Sequence, residues 1–217
     1  MGKEILNKKD ICLKIIELLK VEYPVAECTL RYKKDYQLLI ATRLAAQCTD
    51  KRVNTVTDVL FKKFKTLDSL ANADIVDVEN IIKPCGFYKI KAKDIVNMCN
   101  LLISNFSSKV PNNIKDLVSL PGVGRKTANL ILGDIYNLPA VVVDTHCIRI
   151  TRRIGLHDSK NPILVEKILK DILPPEESND FCHRLVMHGR EICKALKPKC
   201  EICCINGVCS KKFENKI

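Results

Sequence analysis

Leu120-Pro121-Gly122-Val123-Gly124-Arg125-Lys126-Thr127-Ala128-Asn129 is the stretch on which the reading of the fold turns. Two glycines followed by Arg-Lys-Thr look like a shortened phosphate loop. A P-loop, however, needs G-x-x-x-x-G-K-[ST], with glycine directly before the lysine and a strand upstream. Here Arg125 separates Gly124 from Lys126, and the upstream segment has apolar residues at Ile114, Leu117 and Val118, a helical spacing. A dinucleotide fingerprint fails as well, because Thr127 sits where the third glycine belongs and no βαβ unit surrounds it. What remains is a helix, a tight Pro-Gly-x-Gly hairpin and a second helix, over about 114–136.

Such a hairpin suits an anion. Gly122 and Gly124 allow positive φ and let a ligand approach the backbone, with Val123 between them. The second helix begins at the hairpin, so its free N–H groups point outward at the positive end of the helix dipole. A nucleic-acid backbone phosphate fits that site without any requirement on base sequence. A plain αα-hairpin turn is the bland alternative, and the Gly-x-Gly at a helix start favours the phosphate. Lys126 lies in the first turn of that helix, where cations are disfavoured and a purely structural segment would carry Asp or Glu. Locally two roles fit it, phosphate binding beside Arg125 or nucleophilic attack by its amine.

Outward from the hairpin the periodicity is helical nearly throughout. Val53, Val56, Leu60 and Phe64 follow a Thr49-Asp50 cap. Ala92, Ile95, Cys99, Leu102 and Phe106 mark another helix, ended at Ser107-Ser108. Phe181, Leu185, His188 and Ile192 mark a third, with a Ser178-Asn179 cap expected after Pro174-Pro175. The first helix is expected from about Glu4 to Lys20, and others over 36–47, 73–82, 114–119, 125–136, 145–154 and 163–172. Val141-Val142-Val143 is β-branched, but with no partner runs it reads as a buried extended connector. The chain is therefore all-α.

Composition bounds the rest. The chain has 217 residues, enough for one large or two modest domains that bury about 70% of the unfolded surface. Hydrophobic residues are 47% and charged residues 28%, ordinary for a soluble protein. No apolar run approaches the roughly 20 residues of a membrane span. The N-terminus lacks a signal-peptide core, so a cytoplasmic protein is expected, nucleoid-associated in a prokaryote. A net charge of +11 and a pI near 9.1 point to a densely negative partner, nucleic acid foremost.

Twelve cysteines are too many to ignore and, in a chain this long without a signal, speak for a reducing compartment rather than a disulfide framework. Cys12, Cys28, Cys48, Cys85, Cys99, Cys147 and Cys182 stand singly and read as small hydrophobes. Cys193-x6-Cys200-x2-Cys203-x5-Cys209 is different. Four thiolates this close bind metal when they are not oxidised, and one short hook with two longer arms suits a [4Fe–4S] cluster better than zinc. On spacing alone Cys204 can replace Cys203. Lys194, Lys197 and Lys199 lie in the loop between the first two cysteines, placed for phosphate or simply for solvent. Asp144, in Val142-Val143-Asp144-Thr145-His146, reads as a helix N-cap and equally as a carboxylate offered to a reaction.

Together "LPGVGRKTAN", "VDTH" and the C-x6-C-x2-C-x5-C pattern resemble the endonuclease III family of DNA base-excision glycosylases, over about Tyr36 to Cys209. The resemblance implies two all-α domains flanking a DNA-binding cleft: a six-helix domain over 28–138 holding the helix-hairpin-helix, and a cluster domain of 1–27 with 139–217. It implies that Lys126 attacks C1′ of a damaged, flipped-out pyrimidine nucleotide in double-stranded DNA, or of an abasic site. A Schiff base and β-elimination follow, with Asp144 assisting. Gln47 in "LAAQCTD" would fill the hole left by the base. Phe87 in "CGFYKIKA" falls where the family places an aliphatic wedge, so the aromatic departs from the pattern. His146 would face the cleft, though a helix-surface histidine is the plainer reading. A monomer is expected. Two rivals stand beside this reading. The first is a mono-functional adenine or mismatch glycosylase of the same superfamily, disfavoured by Lys126. The second is a non-catalytic iron–sulfur DNA-binding module, which leaves Lys126 and Asp144 unexplained.

Overall fold

The structure is a computed structural model that describes residues 8–213. The chain divides into two compact units, Met1–Glu27 with Leu138–Ile217, and Cys28–Asn137. No strand occurs among the described residues. None of their helices is long and apolar enough to cross a membrane.

The Cys28–Asn137 unit is built from α2 (Asp35–Ala45), α3 (Asp50–Lys63), α4 (Leu67–Ala71), α5 (Ile75–Ile82), α6 (Tyr88–Phe106), α7 (Ile114–Ser119) and α8 (Arg125–Tyr136), with α1 (Lys8–Glu22) preceding it in the other unit. That is one segment more than the six expected. The addition is α4, a single five-residue turn closed by Thr66, whose hydroxyl accepts from the Ser69 N–H. It is too short for a periodicity to reveal. The 19-residue α6 lies against α2, α4 and α5. Its inward row Ala92, Ile95, Met98 and Cys99 is fully buried with Leu38, Leu39, Leu44, Leu60, Leu70 and Ile82. Each such aliphatic side chain contributes roughly 1.5–3 kcal/mol by leaving water. Beyond α6, Ser107 and Ser108 both take left-handed φ, which stops the helix where the sequence indicates.

The other unit comprises α1, α9 (Thr145–Ile154), α10 (Pro162–Ile172) and α11 (Ser178–Glu191), with α11 packed on α1 and α9. The start expected for α1 at Glu4 lies outside the described residues. The Ala140–Val143 connector is buried and belongs to no helix, as its composition indicates. Its amides need acceptors, and Ser178 supplies one: the Ala140 N–H donates to the Ser178 hydroxyl at 3.1 Å. This corrects the expected Ser178-Asn179 cap. Ser178 is already helical and buried, its hydroxyl is engaged by the connector and by Pro175 O, and Glu177 occupies the cap position without a side-chain bond.

Candidate active site

The hairpin sits where α7 hands over to α8. Asn113 caps α7, its side chain accepting from the Asp116 N–H at 3.0 Å. Val123 is buried and its N–H closes the turn on Leu120 O at 3.1 Å. The two glycines then do different work. Gly122 has φ +73, and a Cβ there would lie 2.3 Å from Arg43 Nε and 2.9 Å from Asp94 Oδ2. The hairpin thus rests on an ion pair in which Arg43 of α2 donates from Nε to Asp94 of α6 at 2.8 Å. Gly124 takes ordinary extended backbone, and a Cβ there would meet nothing within 4 Å. It is the N-cap of α8 and offers no side chain to the helix amides. The first N–H groups of α8, at Arg125 and the exposed Lys126, therefore receive no cap from Gly124, and the space beside that residue is open.

Asp144 caps α9, its Oδ1 accepting from the Cys147 N–H at 2.7 Å. The cap uses one oxygen of the carboxylate and leaves Oδ2 outside it. His146 is half-buried rather than a free surface histidine. It lies so close over Gly189 of α11 that a Cβ there would be 2.2 Å from its Nδ1, and Arg149 Nη2 approaches the same nitrogen at 3.2 Å.

Two arginines that sequence reasoning passed over bind this helix to the cysteine segment. Arg149 donates to Cys193 O at 2.9 Å. Arg153 donates to Lys194 O at 2.7 Å and Ala195 O at 2.8 Å, and approaches Cys193 Sγ at 3.3 Å. His146, Arg149 and Arg153 recur at i, i+3 and i+7, one face of a helix, and that spacing was the available signal. Lys194, Lys197 and Lys199 are exposed in the loop so held, which closes through Lys199 N–H to Ile192 O at 3.0 Å.

Cys193, Cys200, Cys203 and Cys209 line one cavity, walled by Ile150, Ile154 and Ile205, and Cys204 is not among its lining residues. No three acidic, histidine or cysteine side chains among the described residues converge as they would on a single ion. Four cysteines around one largely apolar pocket are a donor set that fits a [4Fe–4S] cluster. The sulfurs also meet donors: Lys211 N–H lies 3.4 Å from Cys209 Sγ, and His188 Nε2 lies 3.4 Å from Cys203 Sγ. Burial pushes His188 down to about 4, so its ring is neutral at pH 7. Tyr23 Oη lies 3.4 Å from Nδ1, so both ring nitrogens have a hydrogen-bonding neighbour.

Two further candidates lie in the Cys28–Asn137 unit. Gln47, just past the end of α2, and Phe87, the N-cap of α6, are both exposed and both left-handed, with φ 55 and 48. Phe87 is 64% exposed, which rules out a core role.

The family model of the HhH-GPD superfamily base excision DNA repair protein matches residues 40–175. Endonuclease III of Rickettsia felis is 42% identical over 209 residues, 96% of this chain and 95% of the relative. The solved structure of a non-covalent endonuclease III–DNA complex superposes with a TM-score of 0.88 at 36% identity, over 95% of this chain and 97% of that one. A trapped endonuclease III–DNA covalent intermediate, an estranged-adenine complex, gives the same TM-score, 0.88, with the same 36% identity and coverage.

Proposed function

The chain belongs to the endonuclease III family of HhH-GPD base excision DNA repair proteins, and on that premise we propose that Lys126 is its nucleophile and Asp144 its assisting carboxylate. The enzyme is a DNA glycosylase and abasic-site lyase. Its substrate is double-stranded DNA carrying an oxidised pyrimidine or an abasic site. It works as a monomer, in the cytoplasm, on nucleoid DNA.

The observation that carries the assignment is the bare start of α8, with Gly124 as its cap and Lys126 exposed in its first turn. The first amides of α8, with Gly122 and Arg125 beside them, hold a backbone phosphate and fix the register of the strand, while Val123, buried and with its N–H on Leu120 O, shapes the turn rather than donating. The amine of Lys126 attacks C1′ of the flipped nucleotide. The C1′–N bond to lysine forms as the glycosidic bond breaks, and the base leaves with a proton. Asp144, through the oxygen that does not cap α9, stabilises positive charge developing on the sugar and then relays protons. The sugar ring opens to a Schiff base. Loss of a proton from C2′ expels the 3′ phosphate, and water releases the lysine. That a relative was captured as a covalent intermediate with DNA supports a covalent route here.

Gln47 fills the place of the extruded base and Phe87 enters the opposite strand. His146, held between Arg149 and Gly189, contacts the DNA from the helix that Asp144 opens. Cys193, Cys200, Cys203 and Cys209 hold a [4Fe–4S] cluster that, when bound, pins the loop of Lys194, Lys197 and Lys199 for contact with phosphates.

Borohydride trapping tests the reading. Duplex DNA with one oxidised thymine is mixed with the protein, reduced, and run on a denaturing gel beside Lys126→Ala. A covalent band lost in the mutant is the expected result. A band that survives moves the nucleophile elsewhere, and no band on either this lesion or an abasic site, with binding intact, leaves a non-covalent enzyme or a binding module.

A further inference from the structure

Lys91 is the most unusual buried group in the molecule. It belongs to α6, one turn beyond Phe87, and is 1% exposed. Its ammonium donates to Leu44 O at 2.9 Å, Ala46 O at 2.8 Å and Cys85 O at 3.0 Å. Three donors meet three carbonyls, so the group is fully used. Two of those carbonyls lie at the end of α2, where the helix leaves acceptors without partners and where a cation is favoured.

The positions of the three carbonyls carry the argument. Leu44 and Ala46 lead directly into Gln47. Cys85 lies two residues before Phe87. Both Gln47 and Phe87 hold left-handed backbone, which costs a non-glycine residue roughly 1–2 kcal/mol and persists only where the surroundings enforce it. An apolar side chain of similar length would avoid desolvating an ammonium but would leave three carbonyls without a donor, so only a group with several donors can tie both segments at once.

We propose that Lys91 is a positioning residue for base extrusion, a tie that fixes the spacing of Gln47 and Phe87 so that the two enter a duplex as one unit. The proposal rests on the reading of those two side chains as DNA contacts. Lys91 touches no DNA. It sets where the side chain that fills the gap and the side chain that parts the opposite strand stand relative to each other.

The test uses the full chain and Lys91→Met, which keeps length and removes every donor. One substrate is a duplex with an oxidised thymine. The other is a single-stranded oligonucleotide with a preformed abasic site, trapped by borohydride, which requires no extrusion from a duplex. On the duplex kcat/KM is expected to fall about 10- to 100-fold. Trapping on the single strand is expected to stay within about twofold, and the duplex effect to vanish in a Gln47→Ala, Phe87→Ala background. Equal losses on both substrates, additive losses in that background, or an unchanged duplex rate each overturn the proposal. Should Lys91→Met not fold, Lys91→Arg, whose fork cannot bring one nitrogen to all three carbonyls, takes its place, and the same results support or overturn the proposal. If the unaltered protein traps neither substrate, the assignment of Lys126 falls and this inference with it. If it traps both and the variant matches it, only this inference falls.

Discussion

Two helix starts in this molecule solve the same problem in opposite ways. α9 closes its free amides with its own carboxylate, Asp144 Oδ1 on the Cys147 N–H. α8 begins at Gly124, which provides no side chain, beneath a hairpin already fixed by the Arg43–Asp94 pair. A side-chain cap is worth about 1 kcal/mol to a helix, and α8 does without it. The difference separates a start closed by its own side chain from one whose cap residue offers none and has open space beside it. It also shows why Asp144 is ambiguous in sequence: capping occupies one oxygen, and the proposed reaction would use the other.

The comparison can be broken first at Asp144. Asp144→Asn keeps an oxygen to cap α9 but not the charge, so base excision should fall at least about 100-fold while thermal stability holds. Asp144→Ala should show the same kinetic loss and, in addition, a Tm lowered by roughly 2–4 °C in a melting scan. Equal melting losses for both variants would mean that the carboxylate charge, not the cap, stabilises the fold.

Next come the two glycines, which should respond differently. Gly122→Ala puts a side chain into left-handed backbone and onto Arg43, and a loss of about 2 kcal/mol or more is expected in chemical denaturation. Gly124→Asp has room and supplies the missing cap, so stability should rise by a few tenths of a kcal/mol. Affinity for duplex DNA at low salt should nevertheless drop about tenfold, measured by fluorescence anisotropy, because the new carboxylate occupies the phosphate's place. A variant that binds DNA as before would remove α8 from the interface. The smallest effect is expected from Lys194→Gln, Lys197→Gln and Lys199→Gln together. They should flatten the dependence of log K on log salt by up to about 3, without changing the single-turnover rate at saturation.

The hairpin was legible because Pro121, Gly122 and Gly124 punctuate it so strongly, and α7, α8 and α9 lie where spacing and Asp144 put them. The grouping of Cys193, Cys200 and Cys209 around one cavity was legible in the spacing, and the cavity lining adds Cys203 rather than Cys204. Lys91 was invisible. Its three partners are backbone carbonyls, which leave no trace in residue types, and a lysine beside a buried Ala92 looks like any surface lysine. Arg149 and Arg153 also bond backbone carbonyls, and only their spacing with His146 on one helix face hinted at a shared role. Ser178 misled because a serine after Pro-Pro is a strong cap signal, and the demand of a buried connector amide outweighed it.

Helix α1 belongs to the same unit as α11, and Tyr23 O accepts from Arg184 Nε across 161 residues of chain. As the polypeptide leaves the ribosome, α1 emerges before any of its partners in α10 and α11. The whole Cys28–Asn137 unit, with its hairpin and lysine, is synthesised and able to fold before α11 and the last cysteine exist. The order of manufacture therefore readies the unit of Lys126 well ahead of the unit that carries Asp144. A chain arrested shortly after Asn137 would present a folded hairpin and an orphan helix that proteases remove first.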